Sequence, residues 1–159
     1  MSRKRNLYLG RAGQLAVMAE FLIRGWNVAI PEVDTGDDIF VVQDSSGDLS
    51  RIQVKTANGQ SLSEGGFSAQ FFVSKSQLET PRTPDLHYVF LVRYEEKWNS
   101  FLIINRADLW SKREEDDMGS QSGDGIVFRF IYNDEGTTCS GKDIGKYINN
   151  WERWPILDH

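Results

Sequence analysis

Asp38, Gln53 and Lys55 are an acid, an amide and a primary amine carried by two short β-rich runs, Ile39 to Gln43 and Leu49 to Thr56. The polar stretch Asp44-Ser45-Ser46-Gly47-Asp48 between the runs has turn chemistry, so the two form an antiparallel hairpin. Ile39 and Val41 must share the buried face with Ile52 and Val54, because a slip by one residue would put all four in water. Pairing 39 with 54 and 41 with 52, around a six-residue loop, sets Asp38 opposite Lys55, with Gln53 two residues away on the same face. A shift of the pairing by one step in either direction that keeps the faces also keeps the three polar residues neighbours. Such a face can bind and polarise charged groups.

Other elements must hold that hairpin. From Gly10 to Trp26 the residues Leu15, Met18, Ala19 and Leu22 recur at helical spacing, and Val17, Phe21 and Ile23 widen the stripe, which predicts a largely buried helix ended by Gly25. Trp26 to Ile30 reads as a strand stopped by Pro31. Residues 57–66 are rich in Gly, Ser and Asn and read as a loop, with a further strand over Phe67 to Val73. Leu86 to Tyr94 and Trp98 to Ile104 are two strong strands around the charged turn Glu95-Glu96-Lys97. Asn105 caps a short helix, with Ile104 and Leu109 placed as a hydrophobic staple. Arg113 to Gly125 reads as a surface excursion. Ser140 to Asp143 resembles a capping box, and Ile144, Tyr147, Ile148 and Trp151 recur at helical spacing up to Pro155, which predicts a C-terminal helix. A helix, a run of strands and then helices predict a mixed α/β (α+β) chain built around one sheet, as a single domain over 1–159.

An acid at a strand start, followed across a hairpin by Gln-Val-Lys and preceded by a helix carrying a Glu, resembles the PD-(D/E)XK nuclease superfamily. The likeness is to its restriction-endonuclease-like and Holliday-junction-resolvase-like small proteins, and it rests on three segments. These are Gly10-Arg-Ala-Gly-Gln-Leu-Ala-Val-Met-Ala-Glu20, Asp34-Thr-Gly-Asp-Asp38-Ile-Phe-Val-Val, and Ile52-Gln53-Val54-Lys55-Thr56. The resemblance implies a restriction-endonuclease-like core, a central mixed sheet flanked by helices, and metal-dependent endonuclease cleavage of DNA phosphodiester bonds. It implies that Glu20, Asp38, Gln53 and the backbone carbonyl of Val54 hold Mg²⁺, for which Mn²⁺ substitutes, through hard oxygen ligands. Lys55 would then orient the attacking water and stabilise the charge that develops on the phosphate. Gln53 stands where the family pattern names Asp or Glu, so the site would carry −2 instead of −3 and bind its metal more weakly. Gln14 stands close to where related helices carry an acid just after the glycine. Cutting two strands needs two sites, which predicts a homodimer.

Each of these residues also has a plainer role open to it. Glu20 lies four residues before Arg24, the spacing of a surface ion pair, and Asp38 follows a turn-like Asp34-Thr-Gly-Asp37. If the metal site has decayed, the same fold would serve as a non-catalytic DNA-binding module or a protein-interaction subunit. Net charge is −5, so bulk charge predicts no nucleic-acid partner, yet Arg3, Lys4, Arg5 and Arg11 precede the first acid, Glu20, and could form a phosphate-contacting arm or a frayed terminus. One cysteine, Cys139, and two histidines, His87 and His159, exclude an internal disulfide and a Cys/His zinc site. His87 reads as a satisfied half-buried strand residue, Cys139 as inert, Glu114 to Asp117 as a solvated run, and Trp151 and Trp154 as core or interface packing. No stretch is long and apolar enough to span a membrane, and the start lacks a signal-peptide pattern, so a cytoplasmic protein is expected.

Overall fold

The structure is a computed structural model that describes residues 3–158. Two sheets pack face to face, and one long helix lies on the outer side of the first. α1 covers Arg3–Ile23, and β1 (Asn27–Ala29), β2 (Ile39–Val42), β3 (Leu49–Asn58), β6 (Leu86–Tyr94) and β7 (Lys97–Asn105) form the first sheet in that spatial order. β3 and β6 are parallel and the other neighbours antiparallel, so the sheet is mixed. Between β3 and β6 the chain leaves for the second sheet, through β4 (Gln60–Ser61) and β5 (Phe67–Ser74), and returns by α2 (Lys75–Glu79). α3 (Arg106–Glu115), β8 (Ser120–Ser122), β9 (Gly125–Asn133), β10 (Gly136–Cys139) and β11 (Lys142–Asp143) follow; the second sheet runs β11-β10-β9-β5-β4, with β8 also on β9.

The fold class is mixed α+β with a central mixed sheet, as the element order predicted, but with two sheets in place of one. The second centres on β9, whose alternating Ile126, Phe128, Phe130 and Tyr132 enter the core between the sheets beside Phe71 and Phe90. The other core cluster lies under α1, where Val17 and Phe21 meet Ile39, Val41, Ile52 and Val54.

Several sequence expectations need correction. α1 begins at Arg3, so Arg3, Lys4, Arg5 and Arg11 lie on helix and not on a loose arm. Gly10 costs a helix interior only about 1 kcal/mol, too little to stop it. That helix is mostly exposed, with Leu7, Tyr8, Leu22 and Ile23 in solvent; it buries the narrow stripe Gly13, Val17 and Phe21. The predicted C-terminal helix is a single 3-10 turn, Gly145–Tyr147. Asn149 takes a positive φ of 50° directly after it, which an α-helix does not accommodate. Its apolar residues are buried all the same: Trp154 meets Phe21 edge to face at 5.2 Å and donates from Nε1 to Ser50 Oγ. The tryptophans are therefore core.

Candidate active site

The hairpin forms, with the acid and amide on one face, but its register is one step tighter than the predicted pairing. Ile39 faces Ile52 and Val42 faces Leu49. Gly47 adopts a φ of +70° and its N–H donates to the Gln43 carbonyl, which closes the turn in four residues instead of six. Asp38 is thereby set against Gln53, not Lys55. Its backbone N–H donates to the Ile52 carbonyl at 2.8 Å, and its Oδ2 accepts from Gln53 Nε2 at 2.6 Å and from the Val54 N–H at 2.7 Å. β2 begins only at Ile39, so beyond Asp38 β3 keeps β6 on one side and has no strand on the other, and Val54 directs both its N–H and its carbonyl off that open edge beside Asp38. Lys55, half-buried, follows Val54 on the same strand and is near enough for its charge to act on Asp38.

Asp37 and Asp38 are neighbours with opposite fates. Asp37 is 3% exposed and is held by Arg51 at 2.8 Å and Arg82 at 3.2 Å. Arg82 also donates to the Thr35 carbonyl, so this triad pins the loop that delivers Asp38. Asp38 has no such compensation: burial pushes its carboxyl above the ordinary value of 3.8, against the lowering effect of the Val54 bond and the Lys55 charge. Burial likewise pushes the Lys55 amine down from 10.5, opposed by Asp38 and Asp34. Desolvated opposite charges beside an open strand edge make this place the candidate site.

Glu20 is not brought to this place. It pairs with Arg24 at 3.3 Å, and Arg24 lies over the Trp151 ring. The helix residue that reaches the site is Gln14, whose Nε2 donates to the Asp38 carbonyl at 2.7 Å and whose Oε1 accepts from Arg11 at 2.8 Å. Six residues separate Gln14 from Glu20, about 9 Å along the axis, so the two do not share a position. The structure therefore brings Gln14, which follows Gly13, to Asp38 and leaves Glu20 with Arg24. Close approach explains the glycine: a Cβ on Gly13 would collide with Thr56 of β3, the strand that carries Lys55.

Two residues were given no role at the site from the sequence. Gln77 of α2 donates from Nε2 to the Gly36 carbonyl at 2.9 Å, accepts at Oε1 from Tyr88 at 3.0 Å and stands 3.5 Å from Gln53 Oε1. Asp34 is near enough to act on both Asp38 and Lys55. Only a recognised short helix over 75–79 could have pointed to Gln77, and five residues give little periodicity to detect.

The oxygens available to a divalent cation are the Asp38 carboxylate and the Val54 carbonyl. Both are hard donors, and one carboxylate completed by water and substrate phosphate is an ordinary shell for Mg²⁺, so the residues fit that ion. Gln53 as placed presents its nitrogen to Asp38, which makes it a donor to the carboxylate and not a ligand. Among the described residues no three His, Cys, Asp or Glu side chains cluster as a metal site.

Beside the site, a polar cleft of about 370 Å³ runs along the far half of β3, between Asn6 and Leu9 of α1 and Gln60 and Gln70 of the second sheet. A larger cavity of about 860 Å³ lies on the other face of the second sheet, where Glu64, Asp134, Glu135 and Asp143 surround Arg129. Four acids make it unsuited to a phosphate backbone. His87 is half-buried, but its Nδ1 lacks a hydrogen-bond partner, contrary to the satisfied histidine expected, and burial with the nearby Arg153 charge lowers it to about 4. Cys139 is buried, which raises its thiol pKa and leaves it inert. No helix among the described residues is long and apolar enough to cross a membrane.

No protein-family profile matches the chain and no curated protein does. Among solved structures, the fold is similar to that of a bacterial homing endonuclease, I-Ssp6803I, with a TM-score of 0.59 and 20% identity over 96% of this chain and 93% of that one. Over that span the chain shares the fold of that structure.

Proposed function

We propose that this protein is a metal-dependent DNA endonuclease of the PD-(D/E)XK type, restriction-like or resolvase-like. The observation that carries the reading lies just before the start of β2, where the Asp38 carboxylate meets the Val54 main chain at an open strand edge within reach of the Lys55 charge. The likeness of the whole chain to a homing endonuclease supports the same class of substrate.

In this reading Asp38 and the Val54 carbonyl hold Mg²⁺, Gln53 orients Asp38, and Gln14 steadies its backbone from α1. The metal, when bound, polarises the scissile phosphate and lowers the pKa of water. Lys55 supplies a positive charge that water only partly screens, positioned to hold a water and to stabilise charge on the phosphorane-like transition state. Duplex DNA follows the cleft beside β3, with Arg3, Lys4, Arg5 and Arg11 along α1 contacting phosphates. Two copies would place two such sites on the two strands.

The test is incubation of supercoiled plasmid and branched DNA with Mg²⁺ or Mn²⁺, wild type beside Asp38→Ala and Lys55→Ala. Nicking by wild type, reduced at least about 100-fold in each variant, is the expected result. Equal cutting by all three would mark a contaminant and overturn the assignment.

The donor set with one carboxylate favours a second reading, a DNA-binding module that does not cut. It predicts salt-dependent binding of DNA by wild type with no nicking in either metal.

A further inference from the structure

We infer that Gln77 is a positioning residue of the candidate site: it sets which end of the Gln53 amide faces Asp38, an inference that rests on the nuclease reading of that site. The argument follows donors and acceptors. The Gly36 carbonyl can only accept, so the side of the Gln77 amide at 2.9 Å from it must be nitrogen. The other side, oxygen, then accepts from the hydroxyl of the fully buried Tyr88 at 3.0 Å. With its orientation fixed from both ends, Gln77 presents nitrogen towards Gln53 at 3.5 Å, and Gln53 answers with oxygen. The Gln53 nitrogen is left for Asp38 Oδ2, at 2.6 Å. Turning the Gln53 amide over would place nitrogen against nitrogen at Gln77 and oxygen against oxygen at Asp38.

The consequence is chemical. Gln53, where the proposed nuclease pattern has an acid, acts as a hydrogen-bond donor that aims the Asp38 carboxylate, while its own oxygen is turned to Gln77. α2 and the 34–38 loop are tied together by the same side chain. Gly36 shows how close that tie is: with a φ of +96° it admits no side chain, and a Cβ there would collide with Gln77 Nε2.

The readout is the Gln53 side-chain NH₂ group in ¹⁵N-correlated spectra of the full chain, by its chemical shift and its exchange with water. In wild type the pair of protons should be inequivalent and protected. In Gln77→Leu exchange should accelerate at least about tenfold, as expected when a charge-assisted bond loses its fixed geometry, with the backbone spectrum otherwise that of a folded protein. Tyr88→Phe, which removes only the hydroxyl that orients Gln77, should give a shift in the same direction and carries the test if Gln77→Leu does not fold. Unchanged Gln53 protons in both variants would overturn the inference. Plasmid nicking by the same wild-type sample separates the two ideas: protected Gln53 protons, lost in the variants, with no nicking would sustain the positioning role and remove the nuclease reading.

Discussion

At the scale of single residues, the informative contrast is between two adjacent aspartates. Asp37 is buried and paired with two arginines, so it serves the loop; removing one partner of such a group costs about 3–5 kcal/mol. Asp38 is desolvated, the Val54 N–H and the Lys55 charge only partly offset that burial, and its ionised form is a cost to the fold. Because its folded pKa lies above its unfolded value of 3.8, the native state binds the proton more tightly. The stability it contributes is present below that value and is lost as pH rises through the raised one. Asp38→Asn, which keeps an acceptor for the Val54 N–H, should therefore gain in melting temperature over wild type as pH climbs from about 4 towards neutrality, while losing cleavage. Thermal denaturation of both proteins across that range checks it, and a constant gap would count against a strained carboxylate. His87 titrates with the opposite sign. Its folded pKa near 4 lies below 6.5, so stability present above 6.5 is lost as pH falls through about 4, and His87→Leu should remove that acid sensitivity in the same melts.

At the scale of elements, α1 and the hairpin are coupled by contact of helix with strand. Gly13→Ala improves intrinsic helix propensity by about 1 kcal/mol, yet its Cβ would meet the Thr56 side chain. The expected outcome is a lower melting temperature and weaker cleavage, since the helix must lift from β3 and carry Gln14 away from Asp38; a stabilised, active variant would show that this contact yields freely. The same scale explains what the sequence made legible. Alternation in β2 and β3 is strict enough that a one-residue slip exposes four aliphatic residues, so the shared face of Asp38, Gln53 and Lys55 could be read directly. Register within that face depended on the Gly47 conformation, which composition does not specify. β9 carries a strand signal of its own in Ile126 to Tyr132, but its pairing with β5, far away in sequence, and so the second sheet, does not show in local pattern. The C-terminal apolar spacing was a true burial signal but a false helix signal, because Gly145 and Asn149 let the chain cover the core without helical geometry.

At the scale of the whole molecule, an acidic protein must bind an acidic polymer by charge placement and not by net charge. In the proposed reading Arg3, Lys4, Arg5 and Arg11 on one helix would supply that placement, and Arg11 bonds Gln14, which bonds the Asp38 carbonyl. Replacing Arg3 and Lys4 with Glu should weaken duplex binding across sequences and flatten the dependence of log affinity on log salt by about one unit per lost phosphate contact, measured by fluorescence anisotropy. An unchanged slope would place the DNA elsewhere. In the proposed reading Asp38 and the Val54 carbonyl would hold the divalent ion. Iron-directed cleavage of the polypeptide, with Fe²⁺ in place of Mg²⁺ and a DNA duplex present, reports the ion's location in the chain. Cuts clustered near 38 and 53–55 that disappear in Asp38→Ala are predicted; cuts centred on Glu20, or a pattern indifferent to Asp38, would contradict it.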